Sequence, residues 1–423
     1  MTAVIGILNK EGAAIAADSA VTVSNYRGEK ILNSANKMIR LSEVAPIGVM
    51  ICSNACLMCT PWDLIIRWYR TKRGTLEFPT MRDYITDFVK FLEKSEFFCK
   101  EEQETNYMDH MLDNFFSQVE NEATYLEYDD EMEPKNLDEV VESYRVAVDK
   151  RIQQYQKAGQ CPRFRRYSFE KFSSKYSEVV EKYFGLRYND VLAEQIKGMA
   201  LEGFYWFITH QEPEVGNCTA LVFTGYGMDD EYPSLVSVRV ILGFDGHLAY
   251  YISPEDIKVI SDEEPYGVMP FAQTDVMQNL INGMNPILTH SMFRHADDSF
   301  SSLRGNIGFE ASIEYDVPQE IIDVMDEVSY DDILADFKKD VRKIIDGPRK
   351  SEIYDKIRDL SVEEMAKLAD CMVSITAIKR HINLDQEGVG GLVDLATITK
   401  KDGFKWLNRK CWYDAPGTDG FNI

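Results

Sequence analysis

Three residues near the start of the chain could do hydrolytic chemistry together: Thr2, Asp18 and Lys37. The sequence opens Met1-Thr2 and runs directly into an apolar stretch, Ala3-Val4-Ile5-Gly6-Ile7-Leu8. Removal of Met1 would leave Thr2 with a free α-amine beside its own hydroxyl, a nucleophile and a base in one residue. An α-amine of ordinary pKa, about 7.7–8.0, can accept the hydroxyl proton near neutrality when a nearby cation pushes that pKa down. Lys37 opens a second apolar stretch, Met38-Ile39-Arg40-Leu41. A lysine pointing into a covered sheet needs a carboxylate partner, because an unpaired buried charge costs several kcal/mol. Asp18 is the available one, and a Lys37 cation held beside it would supply the push on the Thr2 amine.

The elements around these residues must position them. Residues 3–8, the turn Asn9-Lys10-Glu11-Gly12 and residues 13–18 predict a hairpin that pairs Leu8 with Ala13 and returns Asp18 to the start of the chain. Neither arm has a polar face, so both faces are expected to be covered. Whether Thr2 and Asp18 share a face depends on register, since a slip of one residue reverses it. Further strands are predicted at 37–41 and 47–51, at 219–226, 234–242 and 247–252, and at 393–399 and 404–407. Val236, Val238 and Val240 alternate with Ser237 and Arg239, the period of a strand. Thr60-Pro61-Trp62-Asp63 predicts a capped helix start with proline in the first turn, followed by an apolar run to Tyr69. Ser361-Val362-Glu363-Glu364 predicts a capping box and a helix to about Arg380, with Met365, Leu368, Met372 and Ile375 on its apolar face. Residues 80–215 are rich in Tyr, Phe, Glu and Lys, with helices expected at 81–97, 137–156, 169–184 and 189–210; a second acidic helical segment is expected at 295–360. The order strands, helices, strands, helices, strands predicts one α+β sheet system with helical insertions.

Composition narrows the function classes. The chain has 423 residues, enough for one large domain or several smaller ones, and a net charge of −24. That charge disfavours nucleic acid and anionic membranes as partners. No run of about 18 apolar residues predicts a membrane span. No charged-then-apolar leader opens the sequence, since Lys10 and Glu11 interrupt the first apolar region, so a cytoplasmic location is expected. The 8 cysteines then read as reduced thiols. Cys52, Cys56 and Cys59 invite a metal, but no second Cys or His pair at ligand spacing accompanies them, and they read as small buried hydrophobes. His290 and His295 are spaced for neither face of a helix and read as structural or surface residues. No metal and no cofactor is expected.

These residues resemble a family. The run from Thr2 to Gly6, continued by Ala16-Ala17-Asp18-Ser19, is similar to the first hairpin of the proteasome β-type subunits and their bacterial relatives, which belong to the N-terminal nucleophile hydrolases. Lys37-Met38-Ile39-Arg40-Leu41 and Gly48-Val49-Met50 resemble that family's lysine strand and the strand after it. Residues 220–226 and 234–240 resemble its second-sheet hairpin, and Phe271-Ala272-Gln273-Thr274-Asp275 the start of its third helix. Gly388-Val389-Gly390-Gly391-Leu392-Val393-Asp394-Leu395 resembles its closing Gly-Gly strand. The likeness covers roughly half the chain, in order. It implies a four-layer αββα sandwich as a single domain over 1–423, with its core at about 1–79, 217–290 and 361–410 and helical insertions at 80–215 and 295–360. It implies Thr2 as nucleophile, Lys37 as electrostatic tuner and Asp18 as the group that orients Lys37. Backbone N–H groups at the Cys52-Ser53 turn would hold the oxyanion, Thr274 would supply a hydroxyl, and Asp385 or Glu387 an acid near the Gly-Gly pair. The sequence departs from the family in having Cys52 or Ser53 where glycine is usual, Val389 in place of a serine, and three extra residues between Asp18 and Lys37.

The leading expectation is a threonine hydrolase acting on peptides or proteins, assembled from identical chains, with an ATPase partner as in bacterial relatives left open. Two alternatives stand beside it: an inactive, acidic scaffold or interaction subunit of the same fold, and a small-molecule amidase, since fold does not fix substrate.

Overall fold

The computed structural model describes residues 2–25, 28–32, 35–58, 60–94, 101–127, 136–158, 161–188, 190–210, 218–272, 274–282, 286–313, 330–345, 355–382 and 390–410. Its architecture is mixed α+β with antiparallel sheets. Contacts divide the chain into two compact units: Met1–Met38, Tyr232–Ser234 and Lys258–Ile423 form one, Ile39–Glu231 and Leu235–Ile257 the other. No helix among the described residues is long and apolar enough to cross a membrane.

In the first unit the opening residues form the expected hairpin. Ala3–Asn9 and Gly12–Ala17 pair antiparallel, with Leu8 opposite Ala13 and Val4 opposite Ala17, and every residue of both strands is buried. Asn9 closes the turn: its Oδ1 accepts the Glu11 N–H at 2.9 Å, and its Nδ2 donates to the Leu360 carbonyl at 2.8 Å. The hairpin lies inside a five-stranded sheet ordered Tyr266–Ala272, Ala3–Asn9, Gly12–Ala17, Asp394–Thr399, Gly403–Asn408. Gly12 is required by this packing, because a Cβ there would come within 2.6 Å of the Ile398 carbonyl oxygen. The helix Val362–Ile382 covers one face: Met365, Ala366, Ala369 and Val373 pack on Ile5, Ile7, Ala14 and Ala16. The alternate residues Val4, Ala13, Ile15 and Ala17 are equally buried. The Ser361 capping box is present, with Ser361 N–H donating to Glu364 at 3.0 Å and Glu364 N–H to the Ser361 hydroxyl at 3.3 Å. The apolar face differs from expectation in one residue: Ile375 is 42 % exposed, and Thr376 takes the buried position, its hydroxyl donating to the Met372 carbonyl.

The second unit contains antiparallel strands in the order His247–Tyr251, Ser234–Phe244, Thr219–Gly225, Ile47–Ser53, with Met38–Arg40 at the edge. Helices Trp62–Arg73 and Met81–Glu93 pack through Trp62, Ile66, Tyr69 and Phe88 against Val49, Leu221 and Phe223. The helices Glu101–Glu127, Leu137–Ala158, Phe169–Arg187 and Asp190–Thr209 share a second, ring-filled core with Leu242 and Phe244. The expected cap at Thr60 is not formed. Thr60–Pro61 is extended and pairs with Cys56–Leu57, and the helix starts at Trp62 without a side-chain cap. A residue before proline favours extended backbone, which explains the shift. The capping box in this region is instead at Thr80 and Asp83. The helix Glu101–Glu127 and the strand Tyr266–Ala272 have no counterpart in the sequence expectations.

Candidate functional site

The site is built at the end of the first hairpin. Pairing continues one step past Ala17, with the Asp18 N–H donating to the Ala3 carbonyl at 3.1 Å. The register therefore sets Ala3, not Thr2, opposite Asp18. The Asp18 carboxylate then collects donors from both sides. Its Oδ1 accepts the Ala3 N–H at 2.9 Å and the Lys37 ammonium at 2.7 Å; its Oδ2 accepts the Ala20 N–H at 3.2 Å and the Gly390 N–H at 3.1 Å. Four donors meet the acceptor capacity of one carboxylate. Thr2, Asp18 and Lys37 are all at least nine-tenths buried. An ion pair this enclosed persists only because the backbone amides complete its hydrogen bonding, and removing one partner typically costs about 3–5 kcal/mol.

A second buried pair lies beside the first and was missed in the sequence. Asp394 stands opposite Ala17 at the head of the strand Asp394–Thr399. Its Oδ1 accepts the Lys410 backbone N–H and its Oδ2 the Lys410 ammonium, both at 3.0 Å. The same ammonium donates to the Ala35 carbonyl and contacts the Ser19 hydroxyl at 3.3 Å. Ser19 is further held by its N–H on the Gly390 carbonyl at 3.1 Å, by its hydroxyl on the Leu392 carbonyl, and by its own carbonyl, which accepts the Ala35 N–H at 3.1 Å. Lys410 thus clamps the segment two residues before Lys37 to the residue after Asp18. The signal was present: Asp394 heads an apolar strand as a charged residue, as Lys37 does.

The remaining expected residues are placed as follows. Cys52 and Ser53 end the strand Ile47–Ser53 in the second unit, rather than forming a separate turn. Cys52 is buried opposite Ala220; Ser53 is exposed, opposite Thr219, with φ 68. That left-handed backbone favours glycine, so the position has glycine-like geometry while carrying a serine. Phe271 and Ala272 belong to the strand Tyr266–Ala272 and not to a helix; Ala272 sits opposite Ala3 and turns the chain with φ 53. Thr274, half-buried, heads the helix Thr274–Asn282. Among the described residues no hydrogen bond joins Thr274 to the Asp18 cluster. Its neighbour Asp275 pairs with Arg380 and with Lys379 at 3.5 Å, tying this helix to the end of Val362–Ile382. Asp385, Glu387 and Val389 lie outside the described residues.

Among the described residues no group of three His, Cys, Asp or Glu is placed to hold a metal ion. Cys56 is half-buried, Cys59 lies outside the described residues, and His290 and His295 are exposed on the helix Pro286–Ile313. No protein-family model and no curated protein matches the chain.

Proposed function

We propose that this chain is an N-terminal threonine hydrolase of the proteasome β type, cutting peptide amide bonds once Met1 has been removed. The observation that carries the reading is the buried Asp18–Lys37 pair, anchored at 2.9 Å on the N–H of Ala3, the residue joined to Thr2. In this reading the Thr2 hydroxyl attacks the carbonyl carbon and its proton passes to the Thr2 amine. The amine returns that proton to the leaving nitrogen as the C–N bond breaks. Water, deprotonated by the same amine, then cleaves the acyl ester and restores the hydroxyl. Lys37 keeps the amine neutral by its charge, and Asp18 orients Lys37.

Burial of the first sheet on both faces supports a four-layer αββα sandwich. The left-handed backbone of Ser53 supports oxyanion donors at Cys52 and Ser53. Peptide or protein substrates, an assembly of identical chains and a cytoplasmic location complete the proposal; an ATPase partner is left open.

Intact mass is the first test, and a chain that retains Met1 sinks the reading. A processed chain should be labelled by a threonine-directed epoxyketone or β-lactone, and Thr2→Ala should not. A processed chain that takes no label is the scaffold. One that takes label yet cleaves only small amides is the amidase.

A further inference from the structure

The second unit carries a basic cleft in an acidic chain. Residues 161–166 read Cys-Pro-Arg-Phe-Arg-Arg, three arginines within four positions, in a sequence with 70 acidic and 46 basic residues. Phe164 is fully buried and stacks on Phe244 at 4.8 Å between ring centroids, and the Cys161 N–H donates to the Thr209 carbonyl at 3.1 Å. The single turn Pro162–Phe164 is thereby pinned, and Arg163, Arg165 and Arg166 are exposed around it. With Glu93, Gly246 and His247 they line a cavity of about 440 Å³.

The charges in this cleft do not balance. Glu93 is its one lining carboxylate, and Arg163 already engages it at 3.0 Å. Arg163 also lies over the Tyr250 ring at 5.6 Å. Arg165 and Arg166 make no ion pair among the described residues. His247 is fixed from behind, its Nδ1–H donating to the Asp245 carbonyl at 2.7 Å and its ring 5.4 Å from that of Tyr167. That leaves Nε2 as the nitrogen available to a ligand. Gly246 lines the cavity from the tight turn Asp245-Gly246, whose φ values of 47 and 71 are the left-handed pair of a two-residue hairpin loop.

We propose that this cleft binds a phosphorylated small molecule, with the phosphate held by Arg165 and Arg166. Two guanidiniums that make no ion pair among the described residues match the charge of about −1.5 to −2 on a phosphate monoester, whereas one carboxylate leaves a cation unmatched. Guanidinium forks pair bidentately with phosphate oxygens, and arginine is used here rather than lysine at all three positions. The cavity exceeds a bare phosphate and falls in the small-molecule range of about 300–1,000 Å³. A local positive cleft within a negative surface focuses small anions, while the surrounding charge repels nucleic acid.

The proposal is independent of hydrolysis, so heat of binding tests it directly. Inorganic pyrophosphate titrated into the full chain should bind saturably at one site, equally in wild type and Thr2→Ala. The exposed double variant Arg165→Gln/Arg166→Gln should bind at least about tenfold more weakly with unchanged circular dichroism and melting. Tricarballylate, three carboxylates on a short chain, should also bind at least about tenfold more weakly than pyrophosphate. Absence of saturable heat, or equal binding by the double variant, overturns the site. Equal binding of tricarballylate overturns the assignment to phosphate.

Discussion

The two units hide charge with different shares of backbone and side-chain donors. In the first, Asp18–Lys37 and Asp394–Lys410 are enclosed in a sheet whose strand Gly12–Ala17 contains four alanines, and backbone amides supply half of the donors to Asp394 and three of the four to Asp18. In the second, the core is filled with rings, and one of its buried carboxylates, Glu104, takes two of its three donors from side chains, the third being the Asp245 N–H at 3.1 Å. Glu104 accepts the Tyr176 hydroxyl and the Lys175 ammonium, and Lys175 is 35 % exposed. Burial, and then the hydrogen bond to Glu104, pushes the Tyr176 phenol far above its ordinary range, so it stays a donor. Amides of a rigid sheet hold a charge in one place, which chemistry requires; flexible lysines hold it loosely, which suffices for stability.

The contrast breaks most sharply at Lys37. Lys37→Met should abolish electrophile labelling of Thr2 and lower unfolding free energy by about 3–5 kcal/mol, because Asp18 stays buried without its cation. Phe116→Ala should lose a similar amount, about 3–5 kcal/mol, with the labelling rate of the folded protein unchanged. Phe116 is fully buried and meets Phe184 at 4.7 Å in the ring-filled core of the second unit. Denaturant titration paired with labelling separates the two variants; equal effects on labelling would erase the distinction. Lys410→Met leaves Asp394 one donor, the backbone N–H of residue 410, and should also cost about 3–5 kcal/mol while slowing labelling less than Lys37→Met.

The smallest effect concerns acid. Burial pushes the Asp245 carboxyl up, but hydrogen bonds from Lys171 and Lys175 outweigh it, and its pKa lies below the ordinary value. A depressed folded pKa contributes stability that is complete above the unfolded value, about 3.9, and is lost as pH falls through the folded one. Asp245→Asn should therefore flatten the loss of stability below about pH 4, read as a urea midpoint against pH. An unchanged slope would show that Asp245 does not couple to folding.

The opening hairpin was legible because both arms are unbroken apolar runs joined by a short turn ending in glycine, and Leu8 stands opposite Ala13 as that turn predicts; which residue faces Asp18 was left to the register. The strand Tyr266–Ala272 was not, because Pro270 argues against a strand; it is tolerated here because this strand is the sheet edge. The helix Glu101–Glu127 carried a readable period in Met108, Met111, Leu112, Phe115, Phe116 and Val119, all buried. Its acidic, polar opening obscured it. In the site, Asp18 and Lys37 were legible because each is a charged residue at the end of an apolar strand, whereas Gly390 and Lys410 reach Asp18 and Ser19 across hundreds of residues. No local pattern encodes such contacts.

The Gly390 N–H reaches Asp18 across 372 residues. Synthesis at about 5–20 residues per second separates these two by tens of seconds, so the first strands leave the ribosome long before their neighbour exists. The strand Asp394–Thr399 must then add beside Gly12–Ala17, among the last described pairings to become available. A chain interrupted before residue 390 cannot complete the cradle around Asp18. Completion of the buried Asp18–Lys37 cradle therefore waits on a strand made hundreds of residues later.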